Sequence, residues 1–363
     1  MSEEKVNVPA SGKPGEENLN QSGAGKSAEE KSSQCDSGRT GAAKSEEIQK
    51  ASAENTEKSC DSVNQKTAEQ SASALEVQKD PGRLAVLERI KEYERKGWWT
   101  KDVEEDPPTI PLTLDKVDYL NKKLKNRILT WFVNRTAVKF INNLVKNGQM
   151  VIKGIEGIEN YEAVQDKGVV ITCNHFNPFD NFAIHYALFP YMYNRTGRVL
   201  YKVIREGNYT NFPGIYGLFF RHCNTLPLSA NFSTMKKFME AVKVLLARGE
   251  KILVYAEQGM WWNYRKPRPL TVGAFKFAAE NRVPVLPMFI TMTDSDRIGE
   301  DGFPIQEYTL HIMPAIYPEA EATVKQNMTL LRDKNYAAWK DCYEKFYGIP
   351  LVYETEESSA KEV

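Results

Sequence analysis

The sequence predicts an α/β protein: a mostly parallel or mixed central sheet flanked by helices, preceded by a basic amphipathic helical segment and a disordered N-terminal tail. Three observations carry this reading. From Met150 onward, short apolar runs alternate with longer stretches of helical spacing, the pattern of strands that cross over through helices. Before that, Tyr119 to Lys146 combines seven basic residues and no acidic one with aliphatic and aromatic residues. Residues 1–80 contain no Phe, Tyr or Trp, and the first aromatic is Tyr93.

That first segment is rich in Ser, Glu, Lys, Gln, Ala and Gly, with 10 basic and 15 acidic residues. It cannot bury enough apolar surface to offset its ordering entropy, so disorder is expected over 1–80. About 280 residues remain, enough for one domain with a full core plus a helical appendage. The expected division is a tail over 1–80, a basic helical segment over 81–149, the α/β domain over 150–350 and a charged tail over 351–363.

The elements follow in order. Leu84, Leu87 and Ile90 have helical spacing within Arg83 to Gly97, with Gly97 as the stop. Trp98, Trp99 and the prolines at 107, 108 and 111 read as a connector. A helical region, read as two helices, runs from Leu114 to Lys146 and stops at Asn147-Gly148. Strands are expected over Met150–Lys153, Val169–Cys173, Val199–Ile204, Ile252–Tyr255, Val285–Ile290 and Tyr308–Met313. Helices are expected over Phe179–Phe189, Phe232–Ala247 (capped by Asn231), Val272–Glu280 and Ala322–Tyr347.

Composition excludes several classes. Formal net charge is zero, divided as −5 on the tail and +5 on the rest, which is not the footprint of a nucleic-acid binder. The five cysteines are odd in number, widely spaced and without a CxxC. Neither a disulfide framework nor a zinc site is expected, and a reducing cytosol is the natural compartment. The N-terminus has no apolar h-region and no run approaches the length of a membrane span, so neither a secretory signal nor a span is expected.

The segment Asn174-His175-Phe176-Asn177-Pro178-Phe179-Asp180 directly follows the apolar run Val169–Cys173. His175 and Asp180 therefore sit where a strand ends and a helix begins, where open α/β sheets place their chemistry. A His held by a carboxylate in one tautomer can act as a general base near neutral pH. The plainer alternative is a turn histidine beside a helix-capping aspartate. His185 follows at the same interval, but positions five apart do not share a helix face, so no metal is expected. Cys173, on an apolar strand, reads as an inert buried thiol.

A second constellation is Tyr255-Ala256-Glu257-Gln258-Gly259, followed by Trp261, Trp262, Tyr264 and the cations Arg265, Lys266 and Arg268. Such a loop can bind a polar head group through its cations, or it can be a surface loop whose tryptophans pack locally. The third constellation is Tyr119 to Lys146, which reads as a helix lying on an anionic bilayer or as a packed helix with a solvated basic face.

Taken together, the order NHFNPFD, a basic strand, a Glu-Gly loop and Val283-Pro284-Val285-Leu286-Pro287 resembles the glycerolipid acyltransferase family that includes bacterial 1-acylglycerol-3-phosphate acyltransferases. The resemblance covers about residues 150–315. It implies that His175 deprotonates the acceptor hydroxyl, Asp180 orients His175, and the hydroxyl attacks the thioester of acyl-CoA or acyl carrier protein. It implies no metal or other cofactor, and a preorganised donor for the oxyanion. Glu257 and Gly259 would belong to the acceptor-binding loop. The basic helices would seat the protein peripherally on the cytoplasmic face of the membrane, where its lipid acceptor lies.

Two departures bear on the acceptor. The family's third motif usually reads Glu-Gly-Thr-Arg, whereas this chain has Glu257-Gln258-Gly259-Met260. The second motif usually ends in arginine, and Cys223–Ala230 has none. Arg265, Lys266 and Arg268, or Lys202 and Arg221, are the substitutes for a phosphate grip. Otherwise the acceptor is a glycolipid or another lipid without phosphate there. Rival readings are a non-catalytic membrane-lipid-binding protein and a thioester hydrolase.

Overall fold

Among the residues described by the computed structural model, 78–105 and 108–356, seven strands form one sheet. They are β1 (Val151–Glu156), β2 (Val169–Thr172), β3 (Leu200–Ile204), β4 (Thr225–Pro227), β5 (Lys251–Val254), β6 (Val285–Ile298) and β7 (Pro304–Ile312). Their spatial order is β1-β7-β6-β2-β5-β3-β4. Every pair is parallel except β6 and β7, which form an antiparallel hairpin. The expected α/β class with a mixed sheet is thus observed. The tail expected over 1–80 lies outside the described residues apart from 78–80, as does 357–363 of the C-terminal segment.

The helices are α1 (Pro81–Arg95), α2 (Leu124–Lys146), α3 (Ile158–Glu162), α4 (Phe179–Phe189), α5 (Glu206–Thr210), α6 (Gly214–His222), α7 (Phe232–Ala247), α8 (Lys276–Asn281) and α9 (Val324–Tyr347). They cover both faces of the sheet, because its central strands are apolar on both sides. Val170, Ile252, Val254 and Phe289 pack with α7, α8 and α9 through Phe238, Phe277 and Trp339. Val169, Ile171, Leu253 and Leu286 face the other way and pack with Ile141 of α2 and Ile184 of α4. The alternation is the two-residue period of a strand.

Several boundaries match the sequence expectation because local chemistry sets them. Asp80 caps α1, accepting from the Arg83 N–H at 2.7 Å, and Asn231 caps α7 through the Thr234 N–H at 3.0 Å. Thr323 and Gln326 form a capping box on α9. Gly97 ends α1's turn at a φ of 65°.

Other elements differ. The expected pair of helices over 114–146 is a 3-10 turn at Leu114–Lys116 followed by one long helix, α2. The expected helix over 272–280 is a 3-10 turn at Val272–Phe275 leading into α8. Helices α3, α5 and α6 and strand β4 were not anticipated; all are short, with too few residues for a period to show. The start of the expected charged tail is docked, with the Leu351 N–H donating to Glu344 at 2.8 Å and Tyr353 packed on Trp99.

Parallel pairing positions the site. Thr172 of β2 lies opposite Val254 of β5, so the chain leaves both strands at the same sheet end, side by side. On the other flank Asn174 extends the pairing of β2 with β6. Its side chain accepts from the Ile290 N–H at 2.8 Å and donates to the Ile290 carbonyl at 3.0 Å.

Candidate active site

The carboxylate of Asp180, in the first turn of α4, reaches back over the Pro178 turn to His175. Nδ1 of the imidazole lies 2.6 Å from Asp180 Oδ2. The Asp180 side chain is fully buried, whereas that of His175 is 23% exposed. Nδ1 is therefore held by an acceptor, and Nε2 is the nitrogen able to take a proton. Asp180 also accepts from the Phe176 N–H at 3.2 Å and from the Tyr255 hydroxyl at 2.6 Å. Burial and the Asp180 charge push the Tyr255 phenol's pKa up, so Tyr255 remains a neutral donor.

Glu257 sits on the loop after β5 and is buried. It accepts from the His175 N–H at 2.9 Å, the Arg268 N–H at 2.7 Å and Arg268 Nη2 at 3.1 Å. Oε2 thus ties the end of β2 to the loop after β5, and Oε1 closes that loop on the Arg268 backbone. Trp261 N–H donates to the His175 carbonyl at 3.1 Å and Asn263 N–H to the Phe176 carbonyl at 3.0 Å, so the two loops share a short ladder. Asn177 braces it, donating to Asn263 at 2.9 Å and to the Tyr308 hydroxyl oxygen at 3.0 Å.

The segment after α1 straps this loop. Arg268 Nη1 donates to the Trp99 carbonyl and Trp261 Nε1 to the Lys101 carbonyl, both at 2.9 Å. A Cβ on Gly259 would lie 3.0 Å from Asp102 Oδ1 and 3.4 Å from the Lys101 carbonyl, so the strap passes close to this glycine. Trp261 and Trp262 are buried against Val86, Ile90 and Val103. For these two tryptophans, local packing is the reading that holds.

The structure brings His175, Asp180, Glu257, Gly259 and Arg268 together. The other candidate cations are placed elsewhere. Arg265 pairs with Asp294 at 2.7 Å, and Lys266 pairs with Glu94 at 2.7 Å. Lys202 lies on β3 opposite Leu253, and its Nζ donates to the Cys223 carbonyl at 3.3 Å. Arg221, in the last turn of α6 near the β4 edge, donates to the Phe212 carbonyl at 3.2 Å. Sequence reasoning missed Tyr255 as a partner of the dyad and Asn177 as the brace of its loop. Tyr255 was visible as a polar residue after an apolar run, but only the pairing of β2 with β5 brings it to Asp180.

Two neighbouring groups are held in their neutral forms. Burial, with Asp180 and Glu257 nearby, pushes the Cys173 thiol up, so it is not a thiolate. His185 is buried among Phe189 and Tyr193, and burial, then Lys202, lowers its pKa to about 3.

A His–Asp dyad at the end of β2 is thus joined to a buried Glu on the loop that follows the parallel neighbour β5. Residues 153–291 match the family model described as Acyltransferase, in agreement with the resemblance read from the sequence motifs. No curated protein matches. Among solved structures, the chain is similar to the 1-acyl-sn-glycerophosphate (LPA) acyltransferase PlsC from Thermotoga maritima. Identity is 16%, covering 62% of this chain and 84% of that one, with a TM-score of 0.40.

Proposed function

We propose that this protein is a lipid O-acyltransferase that moves an acyl chain from acyl-CoA or acyl carrier protein to a lysophospholipid hydroxyl. The observation that carries the reading is the His175–Asp180 contact of 2.6 Å at the end of β2, inside the acyltransferase match. His175 Nε2 takes the proton of the acceptor hydroxyl as its oxygen bonds to the thioester carbonyl carbon. The tetrahedral intermediate then expels the thiolate, which takes that proton from the imidazolium, giving an ester and a free thiol. Asp180 holds the tautomer and stabilises the imidazolium.

A second acceptor class, a glycolipid or other lipid without phosphate at this position, is favoured by one observation. Arg265, Lys266 and Arg268 each meet a carboxylate, so the loop's cations are engaged within the protein. Lys202 and Arg221 remain the candidates for a phosphate grip.

For the membrane, the reading is supported by α2. Leu124, Ile128, Trp131 and Phe132 are exposed beside Lys125, Arg127 and Arg135. Among the described residues no helix is long and apolar enough to cross a bilayer. A peripheral seat on an anionic surface fits this combination.

The test is thiol release from acyl-CoA and from acyl carrier protein across a panel of lysophospholipids, glycolipids and no acceptor. Acceptor-dependent release that disappears in His175→Ala is the expected result. Release without acceptor would indicate a hydrolase, and no release with any pair would indicate a lipid-binding protein.

A further inference from the structure

The general base is more than a dyad. Tyr255, the residue after β5, makes two contacts with it. Its hydroxyl donates to Asp180 Oδ1 at 2.6 Å, and its ring stacks on the His175 imidazole with centroids 3.9 Å apart and planes 18° apart. The register explains both. Val254 lies opposite Thr172, so the next residue on β5 comes level with the chain that leads into His175.

The chemistry of these contacts is specific. Asp180 is buried, so its charge is held only by its donors: Tyr255, the Phe176 N–H and the His175 ring. Each donor to the ionised carboxylate draws on its charge and weakens its pull on the imidazolium. The Tyr255 hydroxyl therefore limits how strongly Asp180 raises the basicity of His175. The stacked ring also restricts rotation of the imidazole, so Nε2 keeps its aim.

We propose that Tyr255 is a positioning residue that sets both the basicity and the orientation of His175. Its consequence for rate rests on the acyl-transfer reading above, but its coupling to His175 does not. Tyr255→Phe keeps the ring and removes the hydroxyl, while Tyr255→Leu removes both.

The experiment is an NMR titration of the imidazole resonances, with His175 assigned by its loss in His175→Ala, alongside kcat/KM against pH. In Tyr255→Phe the His175 midpoint should move to higher pH, and the acidic limb of kcat/KM should move with it. Tyr255→Leu should in addition lower the plateau of kcat/KM by about tenfold or more. Fluorotyrosine at position 255, a stronger donor, should move the midpoint to lower pH without loss of the ring. A His175 midpoint unmoved by both Tyr255→Phe and fluorotyrosine overturns the proposal. A moved midpoint in a protein that transfers no acyl group supports the coupling while refuting the acyltransferase reading.

Discussion

Glu257 and Arg268 form a buried ion pair, Oε2 to Nη2 at 3.1 Å, with side chains 2% and 1% exposed. The pair lies beneath His175, whose N–H donates to the same Glu257 oxygen. A buried pair contributes little over an apolar substitute, but removing one partner leaves an uncompensated charge. Arg268→Met should therefore destabilise by about 3–5 kcal/mol, read as a lower midpoint in urea. The double variant Glu257→Gln/Arg268→Met should lose less than the two single variants added together, which a double-mutant cycle measures.

Asp180→Asn keeps the size of the side chain and changes its hydrogen bonding. An amide nitrogen facing Nδ1 or Tyr255 would be a donor meeting a donor. The wrong imidazole tautomer should cost on the order of 10^3–10^4 in kcat. Substrate binding should change little. Steady-state kinetics with the best acceptor from the panel checks this, and an unchanged kcat would remove Asp180 from the mechanism.

His185 predicts part of the acid sensitivity. Its folded pKa of about 3 lies below the ordinary 6.5, so the unfolded chain takes up the proton first. The corresponding stability is complete above pH 6.5 and is lost as pH falls toward 3. The loss is at most about 1.4 kcal/mol per pH unit. In urea titrations at pH 7.5, 6.0 and 5.0, His185→Phe should show a flatter dependence than the wild type.

Helix α2 predicts a salt-dependent membrane interaction. Replacing Lys122, Lys123 and Lys125 with Gln should weaken sedimentation with anionic phosphatidylglycerol vesicles, most visibly at low salt. Trp131→Ser should weaken it at all salt concentrations, because the exposed ring contributes apolar area rather than charge. Unchanged partitioning in both variants would remove this helix from the membrane role.

How much of the site could be read in the chain depends on sequence distance. His175 and Asp180 were legible because five residues across one turn carry the motif, its strand and its helix. Glu257 and Gly259 were legible as a motif, but their surroundings were not. The counter-ion of Glu257 stands 11 residues on, and the backbone groups that receive Arg268 and Trp261 belong to residues 99 and 101. Loop cations that look available in one dimension are paired in three, as Lys266 with Glu94 shows.

The sequence by itself determined six of the seven described strands, helices α1, α4, α7 and α9, and the motif of the dyad, since apolar period, caps and a local motif act over a few residues. Tertiary structure decided which loops meet: parallel β2 and β5 end together, and only then do Tyr255 and Glu257 reach His175 and Asp180. Register is a property of paired backbones, and no residue carries it alone.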